Sequence, residues 1–361
     1  MLLTDACTPE GAQELLNSDF FSSSINNSLA ESQLSHNLKL LANACVTLSA
    51  DLPNIEKILD SVLSLILSSS SLSCLNPAFA ILNTISQNST YTLLQHPQID
   101  QLILSISNYK HVEFCVYFCQ SLLFNPNFYS KFSDNEAIFN IIEVSILTDF
   151  SESSKTFPQE LSNLIVSIIE AGLRQIISTS EITSPLAEKF ALIIALFSTL
   201  SPGFNSLSLQ NDFILKISRL IAKLLVISGN YNLENSEAEK RFVHSSSFCD
   251  ILGFTVAENL HQNFETYRCN LLTIMVNFIY NSPISLSLIS QNFRLILTLL
   301  SFLNFDERSP FAREWTILAL KRLLPVPQVA DFISKLNPQE VHVHPLFERI
   351  QQNKGVDIEE F

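Results

Sequence analysis

Apolar residues along this chain recur at steps of three and four: Leu38, Leu41, Cys45 and Leu48 in one place, Leu295, Leu299 and Phe302 in another. That is the period of an α-helix burying one face, and it predicts an all-α protein. The pattern fades in two polar stretches, residues 148–160 (TDFSESSKTFPQE) and 229–248 (GNYNLENSEAEKRFVHSSSF), which read as loops inserted between helices. SSSSLSC, ending at Cys74, is a further polar joint. Serines in such joints are solvated connectors or phosphate acceptors.

A helical chain of 361 residues either divides into domains or stacks a repeat. Self-comparison points to a repeat. NTISQNSTYTLLQHPQIDQLILSI from Asn83 and NFIYNSPISLSLISQNFRLILTLL from Asn277 align without gaps, sharing Asn first, Ile third, an amide fifth and Leu twelfth. Weaker copies begin at Asn43, Ser121 and Ser198. The offsets are 83 − 43 = 40, 121 − 83 = 38, 198 − 121 = 77 and 277 − 198 = 79, so one period is about 40 residues.

Two or three helices at that period resemble armadillo and HEAT arrays. The expected fold is an armadillo/HEAT-like right-handed α-solenoid, with the quoted segments as junctions between a third helix and the first helix of the next repeat. Armadillo repeats place Gly at the corner between first and second helices. Here the corners hold His96-Pro97, Asp134-Asn135, Gln210-Asn211 and Gln291-Asn292, and Asn is expected to take the left-handed conformation instead. Asn43, Asn83 and Asn277 fall where armadillo third helices present an amide to the backbone of a peptide in the concave groove. A tie between neighbouring repeats, or plain solvation, is the other reading of the same amides.

FDERSPFAREWTILALKRLL, residues 305–324, concentrates charge around the only tryptophan of a chain that is 16% charged. Ser309 is an N-cap and Pro310 a first helical residue, where its missing N–H costs nothing. At 100° per residue, Phe311, Trp315 and Leu318 share one face, Ala312, Ala319 and Leu323 the next, and Ile317, Leu320 and Leu324 much of the rest. A helix so apolar all round is expected to be buried, with Trp315 as a core wedge and Glu314 and Lys321 on a narrow polar stripe. Arg313, lying among apolar positions, calls for a carboxylate from Asp306 or Glu307.

Composition narrows the function classes. The chain is 47% hydrophobic with 27 Phe and a mean hydropathy of +0.25, so most helical faces must be buried. A net charge of 21 − 35 = −14 repels a phosphate backbone and argues against nucleic acid. Met1–Asp5 lacks the basic start of a secretory signal. The most apolar runs, Phe190–Leu200 and Leu295–Leu303, are shorter than a bilayer requires, so no membrane insertion is expected. Seven cysteines, an odd number set mostly in apolar helical patterns, suit buried reduced thiols and a cytoplasmic protein.

Six glycines leave no phosphate loop or nucleophile elbow. Cys115 and Cys119 share a helix face without a second pair at metal spacing, and His342 and His344 flank Val343 in a polar connector. The other histidines are scattered. No catalytic, cofactor or metal site is expected.

Asp306–Leu324 resembles the signature of the ataxin-10 family C-terminal domain: acidic residues, a small polar residue before Pro310-Phe311, then Arg313-Glu314-Trp315 and an apolar helix. Lys321-Arg322-Leu323 departs from the usual Arg-Asn-Leu. The preceding helices, and LLANACVTLSADLPNIEKIL near the N-terminus, resemble family repeats. The resemblance implies a non-catalytic, cytoplasmic armadillo protein linked to cytokinesis, and in animals also to neuronal survival and signalling complexes. It also implies a division into N-terminal repeats (1–250), a C-terminal helical domain (251–350) and a tail (351–361). Asp306, Pro310, Phe311, Arg313, Glu314 and Trp315 then belong to a mainly structural signature. The expected partners are other proteins, held in the groove, with self-association left open. The competing classes are a signalling scaffold unrelated to division or a nuclear-transport-like adaptor; the latter needs a ladder of Trp beside the Asn positions, and an enzyme needs a constellation the chain does not show.

Overall fold

The computed structural model describes residues 8–17, 25, 29–48, 52–132, 135–148, 157–179, 184–203, 209–230, 258–303 and 311–336. Every regular element among them is helical, and none is a strand, as the three-and-four spacing predicts. The chain divides into two compact units, residues 1–151 with 158–161, and residues 152–157 with 162–361. The expected boundary near 250 and the 351–361 tail lie outside the described residues, as do 149–156 and 231–248 of the two expected loops.

The first unit holds α1 (Pro9–Asn17), α2 (Glu31–Leu48), α3 (Ile55–Ser68), α4 (Leu72–Asn88), α5 (Thr90–Gln95), α6 (Ile99–Leu104), a 3-10 turn at Ile106–Tyr109, α7 (Glu113–Leu123), α8 (Pro126–Lys131) and α9 (Asn135–Ser145). Helices α1, α2, α4 and α7 pack one on the next in chain order; α3 packs on α5 and α6, α5 on α8, and α6 on α9. The long helices begin at 31, 72 and 113, so the structural repeat is 72 − 31 = 41 and 113 − 72 = 41 residues. Side-chain ties between layers keep the same stride. Ser35 Oγ donates to Ser73 O at 2.8 Å, Tyr109 OH to Ile66 O at 3.1 Å, Ser121 Oγ to Asn83 Oδ1 at 2.8 Å and Asn125 Nδ2 to Thr90 Oγ1 at 2.7 Å, across 35 to 43 residues.

The SSSSLSC joint makes another such tie. Ser71 and Ser73 both donate to the Glu31 carboxylate and hold its pKa below the usual value. A depressed carboxyl pKa means the tie is present at neutral pH and is lost as the pH falls through that lowered value.

The corners differ from expectation. Among the described residues Asn54 is the only non-glycine residue with positive φ, at 54°; none of the described corner residues adopts the left-handed conformation. His96 is extended (φ −67°, ψ 135°), and Gln291 and Asn292 have φ −89° and −93°. The reason is that these amides cap rather than bend. Asn292 Oδ1 accepts from Leu295 N at 3.1 Å, satisfying one of the free N–H groups at a helix start. A short extended break followed by a capped helix turns the chain without glycine.

The second unit contains most of α10 (Gln159–Thr179), α11 (Ser184–Leu200), a 3-10 turn at Ser201–Gly203, α12 (Asn211–Asn230), α13 (Glu258–Asn281), α14 (Pro283–Ser290), α15 (Phe293–Ser301), α16 (Ala312–Leu323) and α17 (Pro327–Ser334). Helix α12 extends through the first two residues of the expected 229–248 loop. Helices α11, α13 and α16 pack in chain order, while α12 packs on α13, α14 and α15, and α15 on α17. The chain bends by 117° between Tyr267–Asn281 and Pro283–Ser290.

Contrary to the expectation for apolar runs, Leu186–Gly203 is long and apolar enough to cross a membrane by length and composition. Its aromatic residues pack inside this unit, Phe190 against Tyr267 at 5.5 Å and Phe197 against Phe278 at 5.6 Å between ring centroids.

Helices α10 and α11 meet at Gly172, where a Cβ would lie 2.5 Å from Cδ2 of the buried Phe190 ring. Gly172→Ala is therefore expected to destabilise by about 1–3 kcal/mol through overpacking, against a helix-propensity gain of at most about 1 kcal/mol. Urea unfolding checks this; a neutral or stabilising alanine would show that the contact relaxes freely.

Candidate protein-binding faces

Asn43, Asn83, Ser121, Ser198 and Asn277 each lie within the last five or six residues of a helix, those ending at Leu48, Asn88, Leu123, Leu200 and Asn281. Each helix is followed by a break and another helix, so the aligned segments are junctions of one kind. The outward residues of three neighbouring long helices form a stripe on the first unit: His36, Lys39, Asn43 and Val46 on α2, Asn76, Asn83 and Gln87 on α4, Phe114 and Tyr117 on α7. The stripe is rich in amides and poor in charge. Phe114 and Tyr117 pack edge to face at 5.9 Å.

The three asparagines are used differently. Asn43 is exposed, and its side chain makes no hydrogen bond among the described residues. Asn83 is half-buried; its Oδ1 accepts from Ser121 Oγ at 2.8 Å and from Gln87 Nε2 at 3.4 Å, while its Nδ2 has no acceptor among the described residues. Asn277 donates from Nδ2 to the buried Ser201 Oγ at 2.8 Å. Nearby, Asn76 Oδ1 accepts from Phe114 N at 3.2 Å, so an amide of α4 caps the start of α7. Asn83 and Asn277 thus tie neighbouring helices, and Asn83 retains a donor facing outward.

These roles separate the variants. Asn277→Ala should cost about 1 kcal/mol, because it removes a hydrogen-bond partner of a buried hydroxyl, whereas Asn43→Ala should stay within about 0.5 kcal/mol. Equal shifts in thermal unfolding would contradict the difference in geometry.

Cys45, Cys74, Cys115 and Cys119 are buried free thiols and Cys269 is half-buried; Cys7 and Cys249 lie outside the described residues. Burial pushes Cys45 up to about 12, and burial together with Cys115 raises Cys119, so neither is a thiolate at neutral pH. No three His, Cys, Asp or Glu side chains converge on one point among the described residues. His96 is structural: its Nδ1 accepts from Gln98 N at 3.3 Å, so its Nε2 donates to Asp60 Oδ1 at 3.0 Å. His342 and His344 lie outside the described residues.

The tryptophan helix departs from expectation. The anticipated cap, Ser309-Pro310, and the carboxylates Asp306 and Glu307 lie outside the described residues, and the helix is bounded at Ala312–Leu323 with Phe311 preceding it. It is not buried all round. Ala312, Thr316, Ala319, Leu320 and Leu323 face the core, Glu314 is exposed, and Arg313 and Trp315 are half-buried. Phe311 and Leu318, on the face of Trp315, are 67% and 40% exposed. Helical projection placed these residues correctly on one face, but α13 and α15 together cover only the opposite side.

A buried charge went unnoticed in the sequence. Arg268 of α13 is 1% exposed, with its guanidinium 4.9 Å from the Phe302 ring centroid. Its one signal is an arginine in YRCNLLTIMV, one residue from core Tyr267.

The sequence model of the Spinocerebellar ataxia type 10 protein domain matches residues 267–359, in agreement with the resemblance at Asp306–Leu324. No curated protein and no solved structure matches the chain.

Proposed function

We propose that this chain, an ataxin-10 family protein by its domain at residues 267–359, is a non-catalytic protein-interaction scaffold built as an armadillo/HEAT-like right-handed solenoid. The observation that carries the reading is the stripe on α2, α4 and α7. Amides at Asn43 and Asn83 can bond the backbone of an extended segment, while Phe114 and Tyr117 offer an aromatic surface to its side chains. The 41-residue stride of the first unit supports the repeat architecture. In this reading the scaffold works in the cytoplasm, in the regulation of cytokinesis that the family resemblance suggests, and its partners are proteins. The adaptor alternative gains nothing from the geometry, because Trp315 sits on α16 and not beside Asn43 or Asn83.

The test is affinity purification from dividing cells with the full chain and with Asn43→Ala combined with Tyr117→Ala. Loss of division proteins from the double variant, at an unchanged melting temperature, is the expected result. An unchanged set of captured proteins would remove the groove from the account.

A further inference from the structure

The face of α16 that carries the tryptophan is apolar, exposed and rimmed by positive charge. Phe311, Trp315, Leu318 and Arg322 follow one another at steps of four, three and four, which places them on one stripe. Tyr280 of α13, 44% exposed, extends it sideways: its OH donates to Leu318 O at 3.4 Å, and the Arg322 guanidinium stands 5.7 Å from its ring centroid. Lys321 and Arg322 are exposed, and no carboxylate pairs with either among the described residues. An unpaired basic rim around aromatic residues is unusual on a chain of net charge −14, and it selects for an acidic, apolar occupant.

The same domain supplies one. The described residues end at Leu336, whereas the family domain runs to residue 359, so 359 − 336 = 23 further residues belong to it. Residues 337–361 carry Glu340, Glu348, Asp357, Glu359 and Glu360 against Arg349 and Lys354, a net charge of −3, and place Leu346, Phe347 and Ile350 at helix spacing. Residues 337–345 can span up to about 30 Å, and α16, with 12 residues, is about 18 Å long; the apolar group therefore has the reach to return over the whole helix.

We propose that residues 337–361 dock on this face of their own chain, with Leu346, Phe347 and Ile350 against Phe311, Trp315 and Leu318 and the acidic residues toward Lys321 and Arg322. This surface is separate from the α2–α4–α7 stripe, and the proposal stands or falls independently of the scaffold reading.

Trp315 is the only tryptophan, so its fluorescence reports the face directly. In the full chain, Phe347→Ser with Ile350→Ser should red-shift the emission and raise acrylamide quenching about twofold, as one covered side of the ring opens. Far-UV circular dichroism should not change. Adding the synthetic 337–361 peptide to that variant should restore the blue-shifted emission, and Arg322→Glu should weaken the peptide about three- to tenfold. Identical quenching in the parent chain and the double variant overturns the proposal, as does a peptide that restores nothing. A parent-chain emission that shifts red on dilution assigns the face to a second copy and also overturns it. Should the double variant lose helical content, the parent chain decides alone: Arg322→Glu there must increase quenching, and no increase refutes the docking.

Discussion

Replacing Phe79 by alanine is expected to cost the first unit about 3–5 kcal/mol, the range for truncating a fully buried aromatic residue. The ring belongs to α4 and is inaccessible to solvent. It packs at 5.5 Å on Tyr109 and at 6.0 Å on Phe118 of α7, so its loss opens a cavity between two successive repeats and removes two aromatic contacts, each worth about 0.5–1.5 kcal/mol beyond area burial. Because the chain has two units, a single unfolding midpoint would mix them. Hydrogen exchange resolved by segment is the suitable measurement. Protection should drop most in α4 and α7, while α13 and α16 should be unaffected. A uniform loss over the whole chain would show that the two units unfold as one.

The second large effect is expected at Arg268. Arg268→Ala should destabilise the second unit by about 3 kcal/mol or more, through the cavity and the lost cation–π contact with Phe302. Arg268→Met should recover over half of that loss. A buried guanidinium gives up hydration comparable to what its contacts return, so a side chain of similar volume without charge is tolerated where alanine is not. Chemical denaturation followed by exchange in α13 separates the two variants. Should methionine be as damaging as alanine, the charge rather than the volume is what the site requires.

Much of the architecture was legible in the residues. The three-and-four spacing identified the helices, and self-alignment from Asn43, Asn83, Ser121, Ser198 and Asn277 located their junctions, because a repeat must bury the same face each time and therefore repeats the same apolar positions. Residue chemistry did not reveal what stood opposite those positions. Projection grouped Phe311, Trp315 and Leu318 correctly, but whether a face is covered depends on neighbouring helices far along the chain. The same limit hid Arg268, which in sequence looks like any charge on a polar face. At the corners the residue type was right and the role was not: Asn can bend a chain by its backbone or cap a helix with its side chain, and Asn292 does the second. The dual use of Asn83, with its oxygen bound within the fold and its nitrogen turned outward, is set by amide orientation, which composition cannot encode.

The ties of the first unit connect residues 35 to 43 positions apart, and this spacing has a kinetic meaning. No native contact of this kind has to wait for distant parts of the chain to meet, so the loop-closure entropy that each tie must overcome is similar and modest. Folding can begin at any adjacent pair of long helices and spread outward one layer at a time. Substitutions that weaken a tie at the centre, such as Ser121 with Asn83, should therefore slow the spread and permit partly folded states on either side, whereas the same loss near α1 should only fray an end.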